Sequence, residues 1–278
     1  MSPLPTDSAV LPAGFSDTLS PDLSWQHMDC IDSTNTFLLD DRQPPNQLCS
    51  AEHQTQGRGR RGQTWADSGD SALFSISGAF PPGLDLSAWP IQVAITLADS
   101  LNRLIAHAKA DKTPQPGVKI KWPNDLYCNH HGQWGKCGGI LVESRIGRQG
   151  KIVTGIGLNS APLRGITIDS DYPITHLPTL LQRCVADKKQ LIVILTNRLW
   201  QAWQVFIQQP NVKVKHYQTL DYLYGKSLSA TDTYNQCVTH GIGAGINAHG
   251  HLLLQTPTGT VALSSQQRIR LNPDSINK

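Results

Sequence analysis

The chain has 278 residues, a net charge of +3 and charged side chains at 16% of its positions. This length accommodates one large domain, or a large domain with a small one. So small a net charge gives no basis by itself for nucleic-acid binding, which normally uses a dense basic surface. The sequence has no signal peptide and no run of about 20 apolar residues that would span a membrane. We therefore expect a cytoplasmic protein.

The cysteines are scattered and include no CxxC pair, and no cluster of histidines lies near them. Zinc sites and disulfide frameworks both require closely grouped ligands or paired spacings. We therefore expect reduced and mostly packed thiols at all six positions, which are Cys30, Cys49, Cys128, Cys137, Cys184 and Cys237.

The first half of the chain begins with residues 1–21, which are rich in Pro, Ser, Asp and Gly and predict a flexible tail. N-cap candidates at residues 32–35 stand before an apolar stretch and predict the start of a helix. Strands are predicted over 48–54 and 72–80. Apolar residues at helical spacing then predict a helix over 87–107.

The second half contains four short β-like runs, a long helix and a glycine-rich region. The runs predict consecutive strands of one mostly antiparallel or mixed sheet, and the helix has one apolar face. From about residue 223 the pattern changes to short alternating segments that predict a small β-barrel. The strands are 118–122, 126–128, 138–144 and 152–158, the helix is 190–207, and the predicted domains are 22–222 and 223–278.

The most distinctive segment is Gly57-Arg58-Gly59-Arg60-Arg61-Gly62, hereafter the arginine loop. It satisfies the G-x-G-x-x-G pattern, but a dinucleotide-binding loop must open a helix, and residues 63–71 have the composition of a loop. No Gly-Lys-Ser/Thr follows, which excludes a P-loop. A mobile loop with three guanidinium groups is suited to phosphate or carboxylate, and Trp65 is placed to stack on a base. The alternative is a solvated, charged turn.

Three further segments have side chains suited to a binding site. Lys121-Trp122-Pro123-Asn124-Asp125 places an amide and a carboxylate at a strand end, where they can hold a hydrated Mg²⁺ or a nucleotide. Lys136 precedes a buried strand and can offset developing charge. Gly155 and Gly157 allow a ligand to approach a strand closely. Taken singly, residues 121–125 and Lys136 are better explained by an ordinary turn and a lysine at a strand end, and the glycines also allow close backbone packing.

In their order along the chain, these segments resemble the bacterial biotin protein ligases. The resemblance is strong over residues 23–159 and weaker over 241–254. It implies an α+β fold, with a mixed or antiparallel sheet flanked by helices as in class II synthetases and a small C-terminal SH3-like barrel. The ordered succession is far more specific than any single motif, and it consists of residues 32–35, Gln54, the arginine loop with Trp65, residues 121–125, Lys136 with 138–143, and residues 155–159.

Family resemblance also assigns residues to the biotin side of the site. The segment Ser-Thr-Asn and the glutamine before the loop bind biotin in this family, and the loop closes over the adenylate. The implied biotin-binding residues are Ser33, Thr34, Asn35, Gln54, Gly57, Arg58, Gly59, Lys136, Gly139 and Gly155.

The same resemblance assigns the nucleotide side. Trp65 is expected to pack on adenine and Asp125 to bind Mg²⁺, while Lys136, Arg58 and Arg60 are the expected catalytic groups. The implied nucleotide-binding residues are Arg60, Arg61, Trp65, Asn124, Asp125 and Asn159.

The implied activity is ATP-dependent formation of biotinyl-5′-AMP and transfer of biotin to one lysine of the biotin carboxyl carrier protein of acetyl-CoA carboxylase. The expected cofactors are ATP and Mg²⁺, and a monomer or homodimer that binds neither DNA nor membrane is expected. The helix-turn-helix of repressor members is missing, and Gln63-Thr64 replaces a basic pair that often follows the loop. The alternatives are a lipoate or octanoate protein ligase and a non-catalytic nucleic-acid-binding module.

Overall fold

A computed structural model describes residues 11–65, 70–108, 117–130, 132–147, 150–161 and 173–272. Its first sheet has seven strands in the order β1-β2-β3-β7-β6-β5-β4. Only β1 and β2 pair in parallel, and the other neighbours are antiparallel. The strands are β1 (Ser24–Ile31), β2 (Gln47–Gln54), β3 (Ser71–Phe80), β4 (Lys119–Lys121), β5 (Asp125–His130), β6 (Gln133–Arg145) and β7 (Gly150–Asn159).

The two faces of this sheet carry different side chains. Successive side chains of a strand point to opposite faces, so Leu48, Phe74 and Leu158 belong to the main apolar core. Cys49 and Val153 lie on the other face and pack with the short helix α1 (Thr34–Leu39). The second face therefore has a smaller apolar cluster and space for a site.

Two long helices cover the main core. They are α2 (Trp89–Ala108) and α3 (Lys188–Phe206), and α3 begins after Asp187, whose Oδ1 accepts a hydrogen bond from Gln190 N at 2.8 Å. The rings of Trp89 and Trp203 meet edge to face with centroids 4.8 Å apart. The apolar periodicity of both helices was visible in the sequence, and the structure confirms both predicted helices.

A second sheet of five antiparallel strands follows the short helix α4 (Val214–Leu220). Its order is β11-β10-β9-β8-β12, and Tyr222 N donates to Ile120 O at 2.9 Å where the chain leaves the first sheet. The expected α+β fold with a small C-terminal β-structure is confirmed. The strands are β8 (Ser227–Asp232), β9 (Val238–Ile246), β10 (Leu252–Thr256), β11 (Gly259–Leu263) and β12 (Gln267–Leu271).

Several elements were not predicted from the sequence. The strands β1 and β8 were missed, and so was α4. β1 lies at the sheet edge, where much of its surface is exposed, so its residues lack the clean apolar alternation of a covered strand. β8 is short, and its inward apolar residues are only Leu228 and Ala230.

The expected flexible tail is packed over residues 11–21. Phe15 lies beneath the guanidinium of Arg103, whose Cζ is 4.7 Å from the ring centroid. The side chain of Asn197 on α3 accepts from Ser20 N at 2.8 Å and donates to Thr18 O at 2.8 Å. One buried amide thus replaces the hydrogen bonds that a solvated segment would make with water. Residues 1–10 lie outside the described residues.

All six cysteines are free thiols, as expected, with Cys30 and Cys237 exposed and the other four buried. Burial raises the pKa of Cys49 to about 12, so this thiol stays protonated at neutral pH. Within the described ranges, no helix has both the length and the apolar composition required to cross a bilayer.

Candidate functional site

A cavity of about 210 Å³ opens on the second face of the seven-stranded sheet. The start of α1, the arginine loop and the start of β12 surround it. Most of the residues that the sequence assigned to the site line this one cavity, namely Ser33, Thr34, Asn35, Gln54, Arg58, Gly59, Arg60, Arg61, Trp65, Asn124, Asp125, Lys136, Gly139 and Gly155.

One end of the cavity is a buried polar network at the N-terminus of α1, hereafter the α1 end. Asn35 Oδ1 accepts from Ser75 Oγ at 2.6 Å, and Thr34 Oγ1 lies 2.7 Å from the same serine oxygen. Gln54 Oε1 accepts from Thr34 N at 2.8 Å, and Ser33 caps the helix. These side chains are held before any ligand arrives, so the α1 end is preorganised.

Glycines of β6 and β7 leave room for these side chains. A Cβ atom at Gly155 would lie 2.1 Å from Asn35 Oδ1, and one at Gly157 would lie 2.6 Å from the Trp65 ring. A Cβ at Gly139 would also contact Trp65, at 3.0 Å. The glycines therefore allow a buried amide and an indole to lie directly against the strands.

The arginine loop forms a small hairpin rather than an open loop. Trp65 N donates to Gly57 O at 2.9 Å, and Arg58 pairs with Thr64 across the hairpin. Arg61 and Gly62 form its turn with positive φ values of 59° and 73°. The expectation that this segment does not open a helix of the dinucleotide-binding type is therefore confirmed.

The arginine side chains of this hairpin donate hydrogen bonds to acceptors in different parts of the fold. Arg58 Nη2 donates to Glu143 Oε2 at 2.9 Å, on β6. Arg60 Nη1 donates to Asn124 Oδ1 at 3.3 Å and Nη2 to Ser265 O at 2.8 Å. Arg61 Nη2 also donates to Ser265 O, at 2.8 Å. The loop therefore connects the first sheet to the C-terminal sheet.

Partial burial lowers the pKa of Arg60 from the usual arginine value, and the neighbouring charge of Arg61 acts in the same direction. The carboxylate of Asp125 opposes this shift. The guanidinium remains charged, because arginine titrates far above neutral pH. Two crowded cations at this end of the cavity favour an anionic ligand.

Lys136 and Asp125 form an ion pair with Nζ and Oδ1 2.7 Å apart. The Lys136 ammonium is also 5.7 Å from the centroid of the Trp65 ring. Asp125 and Asn124 offer the oxygen atoms that Mg²⁺ prefers. Among the described residues, however, no group of three or more potential ligands gathers. This donor set suits a Mg²⁺ that arrives with nucleotide phosphates and keeps much of its water.

Two predicted site residues lie outside the cavity lining. Gly57 lies beside it, where a Cβ atom would come within 3.2 Å of Trp65 O and 3.4 Å of Gln54 Nε2. Asn159 is buried, and its Nδ2 donates to Thr175 O at 2.8 Å, which ties the described segment after residue 172 to β7. The structure thus gives Asn159 a protein partner rather than a place in the cavity.

The sequence also matches a known protein family. Residues 27–159 match the model of the biotin/lipoate A/B protein ligase family. The Escherichia coli bifunctional ligase/repressor BirA is 31% identical over 235 residues, which cover 81% of this chain and 67% of that protein. The chain belongs to the biotin protein ligase family. A second family member, the biotin–[acetyl-CoA-carboxylase] ligase of Mycobacterium tuberculosis, is 31% identical over 145 residues, covering 49% of this chain and 50% of that protein.

The fold agrees with this family. The biotin protein ligase of Aquifex aeolicus, solved in complex with biotin and ATP, superposes with a TM-score of 0.67 at 21% identity. The superposition covers 90% of this chain and 99% of that one. The C-terminal sheet is therefore part of the shared architecture of a biotin protein ligase.

Sequence reasoning missed several residues of the site. Glu143 lies two strand positions beyond Leu141 and four beyond Gly139, so strand alternation places it on the same face of β6. That alternation was a usable signal. The lining residues Gln267, Arg268 and Ile269 come from the C-terminal sheet, and nothing local in the sequence indicated that they meet the arginine loop.

Proposed function

We propose that this chain activates biotin as biotinyl-5′-AMP and transfers it to a lysine of a biotin carboxyl carrier protein. The observation that carries the proposal is the convergence of Lys136, Arg58 and Arg60 on one cavity, beside a preorganised polar pocket. The physical difficulty of the first half-reaction is the repulsion between a carboxylate and a polyphosphate. Positive side chains held at fixed positions reduce that repulsion.

In the first half-reaction, a biotin carboxylate oxygen attacks the α-phosphorus of ATP, and the bond to the β-phosphate breaks to release diphosphate. Lys136 neutralises charge at the carboxylate and α-phosphate, and Arg58 and Arg60 hold anionic oxygens on the loop side. The Thr34, Asn35 and Gln54 side chains bind the polar part of biotin. Asp125 and Asn124 would hold the Mg²⁺ that accompanies the nucleotide, and the ion would neutralise charge on the phosphates.

In the second half-reaction, the unprotonated amine of a carrier lysine attacks the carbonyl carbon of the adenylate, and AMP leaves with the former carboxylate oxygen. The amine loses its proton as the amide forms. The arginine loop must exclude water from the mixed anhydride until the carrier arrives, and then open. Trp65 at the end of this loop is the proposed contact for adenine.

The proposal includes a cytoplasmic location, which agrees with six unpaired thiols. The proposed protein is a monomer or homodimer, with neither DNA nor membrane as a partner.

The decisive experiment incubates the protein with biotin, MgATP and an apo-carrier domain, and measures the mass of the carrier. We expect a gain of one biotinyl group that requires all three components and the carrier lysine. Lipoate and octanoate, each offered in competition, test the nearest alternative acyl substrate. Modification by lipoate in preference to biotin, or no release of diphosphate from biotin and ATP, would overturn the proposal.

A further inference from the structure

Glu143 occupies a position between the α1 end of the cavity and the arginine loop. It lies on β6 opposite Val153 of β7, in the row of side chains next to Leu141 and Gly155. Its Oε2 atom accepts from Asn35 Nδ2 at 2.8 Å and from Arg58 Nη2 at 2.9 Å. A single carboxylate oxygen therefore joins a residue of α1 to a residue of the loop.

The Asn35 side chain is held in one orientation. Its Oδ1 accepts from Ser75 Oγ at 2.6 Å, so its Nδ2 must face the other way, where it donates to Leu141 O at 3.2 Å as well as to Glu143. Asn35 is 3% exposed and Ser75 is fully buried. Breaking a hydrogen bond of a buried amide costs free energy. The hydrogen bond from Asn35 therefore holds the Glu143 side chain in place.

Arg58, in contrast, belongs to the hairpin, where its backbone pairs with Thr64. Its side chain is 43% exposed, against 26% for Glu143. The pair is charge-assisted, and such hydrogen bonds are shorter and stronger than neutral ones. Glu143 is thus a fixed anion that selects one position for a long and otherwise adaptable side chain.

We propose that Glu143 is a positioning residue that orients Arg58 over the adenylate and thereby couples the α1 end of the cavity to the arginine loop. The effect on the adenylate rests on the proposed function, whereas the orientation of Arg58 by Glu143 does not. Glu143 acts through Arg58 and need not touch biotin or ATP. Arg60 and Arg61 anchor the far part of the same loop to the turn before β12, and Arg60 also reaches Asn124, so Glu143 supplies a separate anchor for Arg58 on β6.

The first test uses ligand-free protein and needs no activity. Glu143→Gln keeps an oxygen acceptor for Asn35 Nδ2 and removes the charge that holds Arg58. We expect trypsin to cleave after Arg58, Arg60 or Arg61 about three- to tenfold faster than in the unaltered protein. Asp41→Asn is the matched control, since it neutralises the 2.6 Å ion pair of Asp41 with Arg145, also on β6. Equal cleavage of the Glu143→Gln and Asp41→Asn variants would overturn the positioning role.

The second test is a double-mutant cycle on the release of preformed biotinyl-AMP. Glu143→Gln is expected to raise the dissociation rate about three- to tenfold in the unaltered chain and to have no further effect in an Arg58→Gln background. The KM for biotin is expected to change less than twofold, because the Asn35 contact persists. A purely structural defect would act equally in both backgrounds and would overturn the proposal. If no adenylate forms at all, the proposed function fails, while the cleavage result still decides the role of Glu143.

Discussion

The two ends of the cavity are built differently. At the α1 end, Thr34 and Asn35 are each 3% exposed, and each has hydrogen-bond partners in the protein. At the loop end, Arg58, Arg60 and Arg61 extend from a small hairpin to acceptors on two different sheets. The first end is rigid because its polar groups are buried and satisfied. The second is adjustable because long, partly exposed side chains hold it.

This difference predicts which step each substitution affects. Changes at the α1 end should weaken the binding of one substrate, since its pocket is already formed in the free protein. Changes at the loop end should affect nucleotide binding, the chemical step or the retention of the intermediate, since those depend on how the loop closes. Substitutions at Lys136, at the two glycines of β7 and at Arg60 test this division.

Lys136→Ala should lower the rate of adenylate formation about 10²–10³-fold, the scale for removal of one preorganised charge-stabilising donor. The measurement is single-turnover formation of biotinyl-AMP. Lys188→Ala is a matched control, because Lys188 also forms a carboxylate pair, 2.6 Å from Glu52, with a similarly exposed side chain. An undiminished rate in Lys136→Ala would remove this lysine from the reaction.

Gly155→Ala and Gly157→Ala, both on β7, compare the α1 end of the cavity with the loop end. At position 155 the new Cβ would meet the buried Asn35 amide, so we expect the KM for biotin to rise about 30- to 150-fold, the scale of ~2–3 kcal/mol for overpacking. At position 157 it would meet Trp65, which the loop allows to move, so we expect about a tenfold rise in the KM for ATP. Thermal unfolding of both variants controls for general damage. The division fails if both variants affect biotin alike.

Arg60→Ala should weaken retention of biotinyl-AMP by about 1.5–3 kcal/mol, as for hydrogen bonds to a charged group. The measurement is dissociation of the adenylate in a chase experiment. Arg42→Ala, which removes an exposed pair with Asp40 elsewhere on the surface, serves as control. Unchanged dissociation in Arg60→Ala would require a new assignment for the loop.

Asp221→Asn should change how stability depends on pH. Burial raises the pKa of Asp221 from 3.8 to about 6, although the backbone N–H of Leu223 acts against the shift. The folded protein therefore binds a proton more tightly than the unfolded chain, and its stability falls as pH rises from about 4 to about 6. The variant should lose this slope and gain about 1–3 kcal/mol at pH 8. Denaturant unfolding at pH 5 and pH 8 measures it, and an unchanged slope would contradict the assignment.

Local sequence patterns identified some residues of the site and missed others. Ser33, Thr34 and Asn35 were identified because a helix N-cap and a family motif coincide there, and the structure places them together in the cavity. Ser75 was missed, although it bridges Thr34 and Asn35, because a serine inside an apolar strand has no distinctive pattern. Its role depends on antiparallel pairing with Gly155, which is a long-range contact.

By itself, the sequence determined the long helices, most strands, the order of the motifs and hence the family. Each of these depends on the spacing of residues that are near one another in the chain. Only the tertiary structure decided that residues 11–21 pack on α3, that Glu143 holds Arg58, and that Gln267 of β12 and Ser265 in the turn before it receive the arginine loop. Those contacts join residues up to about two hundred positions apart, and their formation depends on the packing of the whole chain rather than on any local preference.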